Sequence, residues 1–366
     1  MTAIIATIRR TPLLWLLAFV PVVLAVEAGR PEAHTALFVL SVLAIVPLAA
    51  LLSLATEAVA TRTGDTIGGL LNATLGNLTE MVIALTALRA SQFLLVKASI
   101  AGAIVTNTLF MLGASFLVGG LAHHVQTFNR TNARMHATLL FLATVALLVP
   151  SAVTGGEGDV GARFTHTISA ALSVLLISTY GLGLLFSLGT HRELFDSGKH
   201  TPEEGTTWPV SVALTTLAIV TVLVALISEI FVESIQQAAD TFGMTPAFVG
   251  FIVVSLVSAA AEIVSALSAA RKDRLDLSVS IALGSATQIA LFVAPALVLV
   301  SYVIAPAPLD LRFWAGAVVM MMVATLTASM VTVGGRSAWF VGVVLLMVYM
   351  VFAMTLYVLP PQGLTP

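Results

Sequence analysis

The chain has 366 residues, 58% hydrophobic and only 9% charged, with net charge −2 and mean hydropathy +1.05. Soluble domains carry about 25% charged residues, so no soluble fold could hide this apolar surface and the bilayer must be the main solvent. The lack of a long basic run excludes nucleic acid as a partner, and the absence of cysteine excludes disulfides, thiolate metal sites and cysteine nucleophiles.

A spanning helix needs about 20 predominantly apolar residues. By that ruler the chain holds eleven spans, near 12–28, 36–60, 67–90, 94–121, 134–152, 165–188, 208–232, 244–270, 275–303, 311–333 and 337–359. The first follows Arg9 and Arg10 like a signal peptide, but its end, Glu27-Ala28-Gly29-Arg30-Pro31, is a poor cleavage site, so an uncleaved helix is expected. The most polar linker, Gly189 to Thr207, contains His191, Arg192, Glu193, Asp196, Lys199, Glu203 and Glu204 and divides the chain into halves. With the N-terminus in the cytoplasm, cytoplasmic segments hold 11 Lys and Arg and outer segments 5, which favours N-in and C-out. The compact loops suggest a bacterial inner membrane.

Two stretches repeat each other. LNATLGNLTEMVIALTALRA from Leu71 leads into LLVKASIAGAIVTN, and VVSLVSAAAEIVSALSAARK from Val253 leads into DLSVSIALGSATQ. Each has a glutamate in an apolar helix, a basic helix end, a Ser-Ile-Ala run and an amide. Glu80 to Asn107 is 27 residues and Glu262 to Gln288 is 26. Five spans separate the third from the eighth, so the two glutamate helices should cross the membrane in opposite directions. This pattern predicts an inverted repeat with a midplane site. The expected fold is all-α and polytopic, with eleven transmembrane helices arranged as one extra helix (1–33), a five-helix repeat (34–188), a polar cytoplasmic linker (189–207) and a second five-helix repeat (208–366).

A carboxylate inside the bilayer costs at least roughly 2.5–3.5 kcal/mol, so a matched pair argues for function over helix-to-helix hydrogen bonding alone. Asn72, Gly76 and Glu80 are four apart and should share a helix face, broadened by Asn77 and Thr79. Ser255, Ser258 and Glu262 do the same in the second half. Oxygen-rich sites suit hard cations, and Ca²⁺ takes 6–8 oxygen ligands. Two carboxylates can neutralise one divalent cation or two protons, the minimum machinery for exchange. Burial in low dielectric favours the neutral form of carboxylates in general, which makes that competition workable. Thr106, Asn107, Ser285 and Gln288 lie mid-helix within reach of such a site. Gly102 and Gly284 read as small residues for close helix approach. Glu233 and Asp240 read as interfacial, as do His123 and His124 at a span end. His34, His166, His191 and His200 read as loop residues, Met320 to Met322 as helix surface or packing, and Arg271-Lys272-Asp273-Arg274 as an orientation determinant.

GGLLNATLGNLTEMVIAL with VKASIAG resembles the first signature of the cation/proton exchanger (CAX) family of the calcium/cation antiporter superfamily, and AAEIVSALSAARKDRLDLSVSIALGSATQIALFVAP resembles the second. The likeness covers essentially the whole chain, including THRELF after the sixth span. It implies that Glu80 and Glu262 are the central ligands of cation and proton, that Gly76 and Asn77 line the first half of the site, and that Glu57 and Glu229 line the access route. The family's second repeat usually reads Gly-Asn-Ala-Ala-Glu-His, whereas this chain has Ser258-Ala259-Ala260-Ala261-Glu262-Ile263. The amide matching Asn77 and the imidazole after the glutamate are both missing, and only the Ser258 hydroxyl offers a replacement oxygen. The expected function is therefore Ca²⁺ export in exchange for protons, with Ca²⁺ and H⁺ as cargo, no cofactor, the lipid bilayer as environment and room for a homo-oligomer. The alternative is a monovalent-cation (Na⁺, K⁺) or Mn²⁺/proton antiporter on the same fold. A passive channel would need no exchangeable proton. An intramembrane enzyme such as a protease would need a catalytic motif, and neither HExxH nor GxSxG is present.

Overall fold

The computed structural model describes residues 7–9, 11–63, 65–153, 159–190 and 208–359. Most of the polar linker, with His191, His200, the THRELF segment and its acidic residues, lies outside the described residues.

The chain folds as helices α1 (Pro12–Gly29), α2 (His34–Ala60), α3 (Asp65–Leu75), α4 (Leu78–Arg89), α5 (Phe93–His123), α6 (Arg130–Ala152) and α7 (Asp159–Leu185) in the first half. The second half holds α8 (Val210–Phe242), α9 (Pro246–Ser258), α10 (Ala260–Arg271), α11 (Leu275–Ile304), α12 (Ala315–Thr332) and α13 (Trp339–Val358). Strands β1 (Val125–Thr127) and β2 (Arg336–Ala338) form an antiparallel ladder pairing Gln126 with Ser337. Among the described residues nine helices are long and apolar enough to cross a membrane, and the pair α9–α10 raises the number to ten. The protein is an integral membrane protein.

Eleven continuous spans are not recovered, for an identifiable reason. The expected third span is interrupted at Gly76–Asn77 into pieces of 11 and 12 residues, each only about 17 Å long at 1.5 Å per residue. The expected eighth span breaks at Ala259 and bends by 58°. Asn77 (φ −101°, ψ 28°) and Ala259 (φ −81°, ψ 4°) both sit in the bridge region between helix and strand conformations. Other boundaries shift as well. α8 runs to Phe242, past the expected end at 232, so Glu233 and Asp240 are exposed residues on a helix. His166 lies within α7 and His34 opens α2, so neither is a loop residue. The segment before α12 is extended, not helical, with Leu309, Leu311 and Phe313 buried. Ser301, Ser169 and Ser151 accept the N–H groups of those three residues in turn, at 2.8, 3.0 and 2.8 Å. Non-helical backbone is tolerated here because protein side chains satisfy it.

The core that positions the site is the crossing of α5 and α9. Gly102 on α5 leaves no room for a Cβ against the Phe251 carbonyl and the Ser255 hydroxyl, and Gly250 on α9 packs likewise against Ala98 and the Leu95 carbonyl. Small residues let the two backbones approach. Among the described residues no atom lies within 4 Å of where a Cβ on Gly284 of α11 would sit, so this glycine serves no such approach. Long helices α2 and α8 pair along one side through stacked Phe38 and Phe231 (5.3 Å) and a Thr35–Thr241 hydroxyl contact.

Candidate functional site: two carboxylates at helix breaks

Each break places a glutamate at the third position of the half-helix that follows it. Asn77 precedes Leu78-Thr79-Glu80 on α4, and Ala259 precedes Ala260-Ala261-Glu262 on α10. The first turn of a helix presents unpaired N–H groups and a partial positive charge, which favours a carboxylate there. Glu80 and Ser258 of α9 line the same small cavity. Glu262 lies beside Ser285 of α11 and close enough to Glu80 for their charges to interact.

A web of amides and hydroxyls joins the two. Asn77 Nδ2 donates to Gln288 Oε1 at 2.7 Å, Ser285 Oγ contacts Asn77 Oδ1 at 3.0 Å, and Asn107 Nδ2 donates to Ser285 Oγ at 2.9 Å. Asn77 and Asn107 are 1% and 0% exposed, so no solvent replaces these partners. Two acceptors in this web, Glu262 Oε2 and Asn107 Oδ1, are buried without a hydrogen-bond partner. Oxygens left in that condition are suited to a cation, since leaving them bare costs the full desolvation penalty. A cavity of about 10 Å³, room for about one water-sized group, opens beside Glu80 and is lined by Ser99, Ser258, Ala103 and apolar side chains. Both α5 and α11 widen into a π-helical turn at this level, over Thr106–Met111 and Ile289–Val293, and such turns gather at functional sites.

The sequence-derived residues divide into those the fold brings together and those it does not. Glu80, Glu262, Asn77, Asn107, Ser258, Ser285 and Gln288 form one connected group. Gly76 lies beside it, with Gln288 Oε1 at 3.7 Å from the position a Cβ would occupy. Asn72 is exposed on α3, and the break after it means that Asn72, Gly76 and Glu80 do not share one helix face. The same correction applies to Ser255, whose hydroxyl is directed to the Ser99 and Gly250 carbonyls at 3.3 and 3.2 Å, away from Glu262. Thr106 turns from the group to the Tyr349 hydroxyl, 3.3 Å away on α13. Glu57 and Glu229 are exposed on the paired helices α2 and α8, at different heights; Glu229 lies within α8, not at its end.

Three features escape a reading by sequence pattern. Tyr349 touches Thr106 through its hydroxyl and Phe110 through its ring at 5.2 Å, gripping both sides of the π-helical turn that carries Asn107. Lys97 and Asp310 form an ion pair at 2.6 Å. His136 on α6 sits behind α11, where the Thr287 hydroxyl reaches its carbonyl at 3.5 Å. Only Lys97 carried a sequence signal, as a charge inside an apolar stretch.

The sodium/calcium exchanger protein family matches residues 33–189 and 212–358. This chain belongs to that family. The family is one of transporters, and a Ca²⁺/H⁺ antiporter of Aphanothece halophytica is 37% identical over 369 residues, spanning 96% of this chain and 98% of that protein. The Ca²⁺/H⁺ antiporter ChaA of Bacillus subtilis strain 168 is 37% identical, spanning 88% of this chain and 92% of its own length. The solved structure of native YfkE superposes with a TM-score of 0.82 at 34% identity, over 95% of this chain and all of that one (100%). The H⁺/Ca²⁺ exchanger CAX shares the fold, with a TM-score of 0.74 at 16% identity over 96% of this chain and 88% of that one. Within the exchanger fold, Ala259 is buried at the second break and offers no side-chain oxygen where Asn77 offers one at the first.

Proposed function

We propose that this protein is a secondary antiporter that exports Ca²⁺ from the cytoplasm in exchange for protons, with Glu80 and Glu262 as the shared ligands of both. The observation that carries the reading is the convergence of two intramembrane carboxylates, each three residues beyond a helix break, on one web of buried oxygens. Two bare carboxylates in low dielectric are costly. One Ca²⁺ or two protons relieves the same two charges, so occupancy by one displaces the other. An empty doubly charged site is the species that neither cargo permits, and its cost couples the two fluxes. Ser258, Ser285 and the unpartnered Asn107 Oδ1 supply further oxygens, in keeping with the large shell that Ca²⁺ takes.

Alternating access is supported by an asymmetry between the halves. The segment before the second break, α9, is docked tightly on α5 at Gly102, whereas the corresponding surface of α11 at Gly284 is open. Under the inverted-repeat reading these are the two access sides of one site, one closed and one open. On this reading Glu57 and Glu229, exposed at different heights on α2 and α8, meet cations on the way in and out.

A second reading rests on Ala259 and Ile263. Without an amide or imidazole at those positions the second half offers fewer ligands, which favours a cation content with fewer oxygens, Na⁺ or K⁺, or else Mn²⁺. The deciding experiment is ⁴⁵Ca²⁺ uptake into proteoliposomes under an imposed pH gradient, for wild type, Glu80→Gln and Glu262→Gln. Gradient-dependent uptake lost in both variants is the expected result. No Ca²⁺ uptake by wild type, with proton movement driven by Na⁺, K⁺ or Mn²⁺, would select the second reading.

A further inference from the structure

Away from the carboxylates, three loops meet at one end of the helices and are stitched into a single surface. His123 at the end of α5 contacts the Arg271 carbonyl through Nε2 at 3.0 Å. Gln126 on β1 donates to the Ala270 carbonyl at 2.9 Å and to Asp273 at 2.8 Å. The ladder sets Thr127 opposite Arg336, and the Phe128 N–H reaches the Gly335 carbonyl at 3.0 Å. Arg130 Cβ lies 3.1 Å from the position a Cβ on Gly335 would take, and the Asn129 N–H is held by Asp276. The turn after α10, the start of α11, the start of α6 and the β-ladder are thereby one platform.

The charge on that platform is one-sided. Arg130, Arg134 and Arg336 come from α6 and β2, Arg271 ends α10 and Arg274 lies just before α11. Among the described residues its two carboxylates, Asp273 and Asp276, are engaged by Gln126 and by the Asn129 N–H. Among the described residues none of the five arginines has a carboxylate within 4.0 Å, and Lys97–Asp310 at the other end of α5 is the ion pair present. Like charges on one face repel, and an anion that joins them relieves the repulsion.

The surroundings indicate what kind of anion. Leu121 and Phe340 are 63% and 61% exposed, and Trp339 packs against Gly120 at the same edge with its ring in contact with Phe340. Basic groups bordered by exposed aliphatic and aromatic side chains at helix ends match the cross-section of a lipid leaflet, with phosphate above acyl chain. A soluble anion or an acidic peptide would have no use for the apolar border. We propose that this platform binds the phosphate headgroups of anionic phospholipids and so braces α10, the half-helix that carries Glu262, at its Arg271 end. The inference is independent of which cation is transported.

The test is the thermal unfolding midpoint of the purified full chain in neutral detergent, titrated with phosphatidylglycerol, phosphatidylcholine, inorganic phosphate or polyglutamate. Phosphatidylglycerol alone should raise the midpoint, by at least roughly 3 °C at saturation, because it binds the folded state selectively. Arg130→Gln with Arg336→Gln, and separately Arg271→Gln with Arg274→Gln, should each remove most of that rise while leaving the lipid-free midpoint near wild type. Arg89→Gln with Arg312→Gln, at the opposite end of α5, should keep it. Native mass spectrometry provides a second measurement, with fewer phosphatidylglycerol molecules retained by the platform variants than by wild type. An equal rise with inorganic phosphate or polyglutamate would overturn the lipid assignment. A rise that survives in both platform variants, or no rise in wild type, would overturn the site itself.

Discussion

The Asn77 amide donates to Gln288 Oε1 at 2.7 Å, across 211 positions of sequence, and fastens the break in one carboxylate-bearing span to the helix that faces the other carboxylate. Because Asn77 also accepts from Ser285, which lies beside Glu262, a change at either end of this link should reach both halves of the site. Gln288→Ala leaves a buried amide donor unpartnered, at a cost of about 1–3 kcal/mol. The expected outcome is roughly a tenfold or larger rise in the KM for the transported cation with a smaller change in kcat, measured by initial uptake rates in proteoliposomes.

The proposed competition at Glu80 and Glu262 sets the sign of the pH dependence. If the two carboxylates are the shared ligands proposed, cation binding requires both deprotonated, and acidifying the cation-loading side should weaken apparent affinity, by up to about tenfold per displaced proton for each pH unit once protonation dominates. Uptake assayed at fixed gradient and varied absolute pH should show KM rising as pH falls. A KM indifferent to pH in a transporting protein would separate the proton from these two ligands.

Ala259 is where the two halves of the site differ most. Ala259→Asn would return an amide to the second break, at a position 1% exposed in wild type. The replacement should shift preference toward Ca²⁺ over Na⁺ or K⁺ by several-fold, read as the concentration of monovalent ion that halves ⁴⁵Ca²⁺ uptake. Crowding at so buried a position carries its own cost of about 1–3 kcal/mol, so the ratio between ions, and not the absolute rate, is the relevant quantity.

Tyr349 grips the π-helical turn that carries Asn107, through Thr106 and Phe110. Tyr349→Phe keeps the ring and deletes the hydroxyl contact, which should cost about 1 kcal/mol. Thr106→Val should do the same, and the double variant should be no worse than the more affected single one, because both remove one interaction. Thermal midpoints and cation KM values for the three proteins would show the coupling.

The Lys97–Asp310 pair joins the start of α5 to the extended segment before α12, and its side chains are 11% and 23% exposed. Asp310 also accepts the Arg312 N–H at 2.7 Å. Removing one partner, as in Asp310→Asn, strands a largely buried charge and should destabilise by about 3 kcal/mol, the lower end of the range for buried pairs. Lys97→Met with Asp310→Asn should be milder than either single change. A double-mutant cycle on thermal midpoints in detergent checks this.

Much of the protein was legible in its sequence because a bilayer leaves few choices. Apolar length fixed the membrane class and most helix positions, since every backbone group in lipid must be satisfied within a helix. The cost of an intramembrane carboxylate singled out Glu80 and Glu262, and the two matched signatures pointed to Asn77, Asn107, Ser285 and Gln288. What periodicity could not supply were the breaks. Gly76–Asn77 is a weak helix former, but Ala259 lies in an alanine run of the highest intrinsic helix propensity, so nothing local announces a 58° bend there. That bend, the turning of Thr106 toward Tyr349 and of Ser255 toward Ser99, and the serine-stitched segment before α12 depend on which helix lies opposite. The identities of the polar residues were written in the chain. Which of them face one another was decided by close packing of α5 on α9, because one residue of rotation there moves a side chain from the site to a neighbouring helix.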